Sequence, residues 1–214
     1  MKIKLLIIFT FTTLLISSCA SSYMQNSSNV SGVKKSYDKI LVVARAKDKV
    51  ARIEFEDQVV QDLALQGVSA TSSMNVIKTE SFSKELSEVD LDNLKAKLVN
   101  EGYSGVIVTN LVNTTEYTDV VPGTTGTAYY PVRYGRFGRY YRAYPVNYWE
   151  PNQIETGIKY TLESCLYDLS VVKDNNLQWV GRFQVKSPSS LTKSIAKYSK
   201  ELTTALMNES ISVE

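Results

Sequence analysis

Histidine is absent from the 214 residues, and cysteine occurs only twice. Without His, the common base that activates a Ser or Cys nucleophile is missing, and so are metal sites of the His/Cys type. A carboxylate-only metal site has no spacing signature here. The chain is therefore expected to hold no metal and no cofactor, and no catalytic residue is assigned. It also lacks an apolar run near the roughly 20 residues that a spanning helix needs. The run without a charge from Leu5 to Ile16 is twelve residues and contains three threonines. A strong charge of one sign is missing as well: 24 Lys and Arg face 22 Asp and Glu. Proline is scarce, five in all, yet four lie between Val120 and Gln153.

The chain opens with Met1-Lys-Ile-Lys4, the apolar run, and then Ser17-Ser18-Cys19. A basic start, a short apolar stretch and small residues at the end form a secretory signal peptide, expected over residues 1–18. Ile16-Ser17-Ser18-Cys19 resembles the lipobox of bacterial lipoproteins. That resemblance implies diacylglycerol on Cys19, cleavage before it, and often acylation of its amine. Ala20 at the next position, rather than Asp, implies an outer-membrane destination with the domain facing the periplasm. Cys165 then has no partner within the chain and reads as a small core residue. Removing residues 1–18 deletes Lys2 and Lys4 and no acids, so 22 basic residues meet 22 acidic ones and the mature formal charge is zero. No global basic field exists to recruit nucleic acid.

Residues 19–36, rich in Ser and Asn without apolar periodicity, read as a lipidated Cys and a flexible tether. A single α/β domain is expected over 37–210. "YDKILVVARA" reads as a buried strand. Asp48 offers an N-cap to a helix with Phe55, Val59 and Leu63 on one face, closed by Gly67. "VSATSS" is a short strand, and Asp90 is taken as the cap of a second helix bearing Leu91, Leu94, Leu98 and Val99 and ending at Gly102. Tyr103 to Val120 is a long strand that is buried at its start. Ile158, Tyr160, Leu162, Ser164 and Leu166 alternate with Lys159, Thr161 and Glu163, the period of a half-buried strand, and "LQWVGRFQV" returns beside it. Pro188 and Ser190 announce a last helix facing inward through Leu191, Ile195, Tyr198, Leu202, Ala205 and Leu206, with Met207 to Glu214 fraying. The expected fold class is α/β of the α+β type: a two-layer sandwich, a mixed sheet of about five strands with three helices, in the order βαβαβββα.

Between the two long strands lies the Tyr/Arg-rich insertion, residues 120–153. Its candidate binding residues are Tyr129, Tyr130, Arg133, Tyr134, Arg136, Phe137, Arg139, Tyr140, Tyr141, Arg142, Tyr144, Tyr148 and Trp149. From Val120 to Trp149 there are four arginines and no acid. Loops beyond about 12–15 residues are uncommon unless functional or disordered. Pro131 and Pro145 lack the N–H that a central ladder needs, which leaves an edge hairpin or an irregular flap. Three readings compete: rings folded back over the domain's own sheet, a surface for an envelope protein or acidic envelope polymer, and a stacking platform for single-stranded nucleic acid. The compartment and the zero net charge weigh against the third.

Taken together, the lipobox, "YDKILVVA", "FEDQVVQDLALQGVSA", "EGYSGVIVTNL" and "YDLSVVKDNNLQWVGRF" resemble bacterial envelope lipoproteins of unknown function. In fold they are similar to the periplasmic domains of penicillin-binding-protein activators and the N-terminal domain of the Tol-system translocation protein. Some members carry an aromatic, Gly-rich insertion in the same place. The resemblance implies a non-enzymatic accessory protein of the envelope, a membrane partner through the N-terminal lipid, and no assigned ligand. A spacer lipoprotein and a carboxylate-dependent hydrolase are the alternatives. For the hydrolase, Glu54, Glu56 and Asp57 would be the candidates, although their helix reads them as a solvated face.

Overall fold

The computed structural model describes residues 21–46, 48–77, 87–134, 140–171 and 176–213, with the backbone alone over 129–134 and 140–146. The signal peptide and Cys19 lie outside the described residues. In chain order the elements are β1 Met24–Asn29, β2 Ile40–Arg45, α1 Lys49–Leu65, β3 Ala70–Ser72, a 3-10 turn Ser73–Asn75 and α2 Glu88–Asn100. They continue with β4 Gly105–Val121, β5 Thr125–Tyr134, β6 Tyr140–Trp149, β7 Gln153–Asp168, β8 Leu177–Lys186 and α3 Leu191–Glu209. Six strands form a mixed sheet in the order β1-β8-β7-β4-β2-β3, and β5 with β6 forms a separate two-stranded sheet. The α+β sandwich expected from sequence is present, with one strand more in the main sheet.

The helices start where their caps dictate. Asp48 accepts from the N–H groups of Val50 and Ala51 at the head of α1, and Ser190 accepts from Lys193 at the head of α3. At α2 the cap is Ser87 rather than Asp90; Asp90 is the third residue of the helix and returns a bond to the Ser87 N–H, a reciprocal capping box. Gly67 and Gly102 follow α1 and α2 at φ +80° and +83°, where a side chain would be strained.

One core cluster lies between the sheet and the helices α1 and α3: Phe55, Val59 and Leu63 of α1 and Ile195, Tyr198, Leu202 and Leu206 of α3 meet Ile40, Val42, Ile107, Leu166, Trp179 and Phe183. A second cluster on the opposite face joins Leu98 of α2 to Leu41, Val43, Tyr103, Val106 and Leu169. The strand β2 is covered on both faces, which is why "ILVVA" is an unbroken apolar run rather than an alternation. Of the expected helix faces, Leu91, Val99 and Leu191 are exposed.

Two expectations for the chain ends are corrected. The flexible tether over 19–36 gives way from residue 21 onward to ordered chain, with β1 antiparallel to β8. The fraying expected from Met207 is replaced by a helix that runs to Glu209 and by Ser210 and Ile211, both 1% exposed. Polar side chains do the work that apolar periodicity would otherwise signal. The Glu201 Oε2 atom accepts from Ser22 Oγ and from the N–H groups of Tyr23 and Met24 at 2.8–2.9 Å. The Glu209 carboxylate accepts from Ser27 Oγ at 2.7 Å and from Trp179 Nε1 at 2.6 Å. Lys35 pairs with Asp168 at 2.6 Å and bridges in parallel to Ile211.

Candidate functional site

The insertion is an arm built from the outer halves of β4 and β7 and from the hairpin β5–β6. Strand β4 leaves β2 at Asn110, and β7 leaves β8 at Lys159. From Glu116 and Ile158 outward, β4 and β7 pair only with each other, as far as Val121 opposite Gln153. Beyond this, Pro122, Gly123, Pro151 and Asn152 interrupt the ladder. The joint is held by Gly123 N–H donating to Asn152 Oδ1 at 2.9 Å, Glu150 N–H to Thr124 O at 2.9 Å, and Thr124 Oγ1 to the Glu150 carboxylate at 2.8 Å. A side chain at Gly123 would collide with the Glu150 carbonyl, so the joint closes only on glycine. The hairpin then pairs Thr125 with Trp149 through Tyr134 with Tyr140. From residue 116 to residue 134 the ribbon measures roughly 60 Å along its strands.

The prolines are placed as the sequence reading requires. Pro131 stands opposite Ala143 and Pro145 opposite Tyr129 within a two-stranded ribbon, away from any central ladder. Among the candidate binding residues, Tyr129, Tyr130, Arg133 and Tyr134 fall on β5, and Tyr140, Tyr141, Arg142, Tyr144, Tyr148 and Trp149 on β6. Arg136, Phe137 and Arg139 lie outside the described residues. Arg133 stands opposite Tyr141, and Arg142 opposite Val132. Arg133 and Arg142 therefore occupy positions of opposite parity, so the strand pairing divides these two arginines between the two faces of the ribbon.

At the base of the hairpin, Trp149 is 68% and Tyr148 47% exposed. Neither folds back over the six-stranded sheet. The Tyr148 ring crosses the ribbon onto Gly126, where any β-carbon would lie 2.5 Å from its hydroxyl. Thr127 Oγ1 donates to Asn147 Oδ1 at 2.8 Å beside it. Thr125, Gly126, Thr127, Asn147, Tyr148 and Trp149 line a shallow hollow. The root of the arm differs in character. Val120 opposite Ile154, with Ile158, forms an exposed apolar stripe on one face. On the other, Asp119 pairs with Lys186 at 3.0 Å, holding that ammonium above its ordinary range, and the Tyr117 hydroxyl donates to Ser187 Oγ at 3.1 Å. Acidic residues stand only at the root: Glu116, Asp119, Glu150 and Glu155.

The carboxylates singled out on α1 do not share a site. Asp57 is exposed and Glu54 half-buried, whereas Glu56 is fully buried, which corrects the solvated face expected for it. Its two oxygens accept from Ala44 N–H, Ser72 Oγ, Ser73 N–H and Ser73 Oγ at 2.8–2.9 Å. With both oxygens so occupied, the Glu56 carboxylate ties α1 to the ends of β2 and β3. Cys165 is buried and unpaired in any disulfide, and burial pushes its thiol up. Tyr167 beside it is also pushed up, to about 12, by burial first and then by the Cys165 and Glu163 charges. Ser164 lies in a buried hydroxyl chain from Thr109 to Tyr198, at 2.7 and 3.0 Å. Among the described residues no group of three or more His, Cys, Asp or Glu is placed to hold a metal ion. No helix among them is long and apolar enough to cross a membrane.

No family model matches the chain, and no curated protein matches it. Among solved structures it is similar to the PelC dodecamer from Paraburkholderia phytofirmans, at 8% identity over 85% of this chain and 94% of that one, TM-score 0.45. It is similar to lipoprotein GNA1162 from Neisseria meningitidis, at 13% identity over 80% of this chain and 99% of that one, TM-score 0.39. A PDZ domain protein from Parabacteroides distasonis matches at 9% identity over 87% of this chain and 35% of that one, TM-score 0.37. Structural neighbours of the chain thus include a lipoprotein.

Proposed function

We propose that this chain is a non-enzymatic accessory lipoprotein of the cell envelope, anchored through Cys19 in the outer membrane with its domain on the periplasmic side. Its β-hairpin arm binds another envelope component, an envelope protein or an acidic envelope polymer. The observation that carries this reading is the arm itself. A two-stranded ribbon is marginal alone in water, yet this one extends well beyond the sheet and carries exposed Tyr148 and Trp149 at the base of its hairpin, residue types that dominate interface hot spots. The arginines of β5 and β6 suit carboxylate or phosphate partners, since a guanidinium grips either with two bonds. The absence of His and the locking of Glu56 into the sheet support a binding role over hydrolysis.

The anchor is tested by labelling cells with a fatty-acid analogue: label should enter the wild type and be lost in Cys19→Ala. The arm is tested by replacing residues 123–151 with a short Gly/Ser linker and comparing crosslinked partners in cells. Partners should be lost while the domain stays soluble and folded. Unchanged partners with unchanged solubility would reject the arm as the contact, and loss of folding would favour the spacer reading.

A further inference from the structure

The N-terminal chain and α3 meet at one edge of the domain. β1 is an edge strand of the main sheet and runs antiparallel to β8. Its first residue, Met24, stands opposite Phe183 near the end of β8, and α3 begins at Leu191 just beyond that end. Lys197 Nζ donates to the Ser21 carbonyl and sits 4.1 Å over the Tyr23 ring. The Glu201 carboxylate accepts from Ser22 Oγ and from the N–H groups of Tyr23 and Met24. Cys19 precedes Ser21 by two residues, a reach of about 7 Å at most. With Cys19 lipidated, the membrane lies next to the first three turns of α3, and no long tether intervenes.

We propose that the outward face of α3, formed by Lys193, Lys197 and Lys200, docks on the anionic phospholipid headgroups of the leaflet that holds Cys19. The proposal rests on the anchor assigned under the proposed function and adds the surface that meets the lipid. At roughly 100° per residue, the three lysines and Thr204 fall within an arc of about 60°. That arc lies opposite Ile195, Leu202 and Leu206, the residues through which α3 faces the sheet. Lys193, Lys200 and Thr204 are exposed and Lys197 is half-buried. The two acids of α3 lie off this arc and hold the N-terminal chain, Glu201 at Ser22 to Met24 and Glu209 at Ser27. On α1, the other helix of that layer, an outward position goes to exposed Asp57 instead. Lysines beside an anionic leaflet attract it within about a Debye length, roughly 8 Å at physiological salt, a range that the short link to Cys19 enforces. The arm constrains the stance. β7 leaves β8 at Lys159 opposite Lys186, at the end where the chain enters β1. An end-on stance would push the two-stranded ribbon into hydrocarbon, where its unpaired edge N–H and C=O groups find no partner. α3 lies across one face of the sheet, so resting its outer side on the headgroups lays the sheet, and the strands that run on into the arm, along the membrane.

The test uses the full lipidated chain in vesicles of phosphatidylethanolamine and phosphatidylglycerol with a trace of lipid bearing a nitroxide on its headgroup, a short-range quencher. A fluorophore is attached at Thr204→Cys on the docking face or, as the control, at Asp57→Cys on α1; Cys165 is buried and does not compete for it. Most of the emission at position 204 should be lost and that at 57 kept. The loss should weaken in zwitterionic phosphatidylcholine vesicles, at high salt, and in Lys193→Gln with Lys200→Gln, two exposed positions that spare the Lys197 contact to Ser21. Lys193→Arg with Lys200→Arg, which keeps the charge, should restore it. An anchored chain quenched no more at 204 than at 57, or quenched equally in the Gln variant, would overturn the docking and leave the anchor standing. A wild-type chain that takes up no fatty-acid label would overturn the anchor and the docking with it, and the label tells the two failures apart.

Discussion

Glu56 is a carboxylate held inside the domain by four donors, the N–H groups of Ala44 and Ser73 and the hydroxyls of Ser72 and Ser73. Positions 52, 56, 59 and 63 share one helical face and are all buried, so the spacing of α1 already marks 56 as inward. Its charge points the other way, because an isolated buried carboxylate is costly. The serines that satisfy it, Ser72 at the end of β3 and Ser73 in the 3-10 turn after it, lie sixteen and seventeen residues later, and no local pattern announces them. Glu56→Ala removes the acceptor and strands these buried donors. Urea unfolding should show a loss of about 3 kcal/mol, against no more than about 0.5 kcal/mol for exposed Asp57→Ala. Cys165 was legible as a core thiol from its place in an alternating strand. Because burial pushes the thiol up, it should resist alkylation at pH 8 in the native protein and react fully once denatured, as mass spectrometry would show.

Elements were legible in proportion to how much of their order is local. α1, α3, β4 and β7 declare themselves through period and cap. α2 was found with the wrong first residue, since Asp90 is a good N-cap by type, yet it serves Ser87 from the third helical position. Ser87→Ala should cost about 1 kcal/mol, read from the same unfolding curve. β1 was hidden altogether, because "MQNSSN" has neither apolar alternation nor β-branched residues. Its order comes from distant partners: β8 and the carboxylates Glu201 and Glu209. Replacing Glu209 by Ala should speed hydrogen exchange across residues 24–29 while leaving β4 and β7 protected. The arm was half legible. Pro131 and Pro145 kept it out of the main sheet, but the shared register of β5 and β6 depends on pairing across the turn, which single-residue patterns do not show.

At the scale of the whole molecule, sequence placed the membrane some distance off at the end of a flexible tether, and the structure brings the described chain onto the domain from residue 21. Lys35 and Asp168 help hold that segment. Burial alone pushes the Asp168 carboxyl up, but hydrogen bonds from Lys35 and Ser170 outweigh it and hold the group below its usual range. A carboxylate with a depressed folded pKa stabilises above its unfolded value near 4 and loses that contribution as pH falls through the folded value. Lys35→Ala should therefore lower stability at pH 7 by about 1 kcal/mol, the modest figure fitting a part-exposed lysine, and the deficit should shrink as the pH drops below about 4. The proposed binding role requires the arm to be the surface that meets another envelope component. A photo-crosslinking residue placed at Tyr148 or Trp149, compared in living cells with one at exposed Asp57 on α1, tests it most directly. Adducts should form from the arm positions and be absent from position 57; equal labelling from all three, or none from the arm, would contradict it.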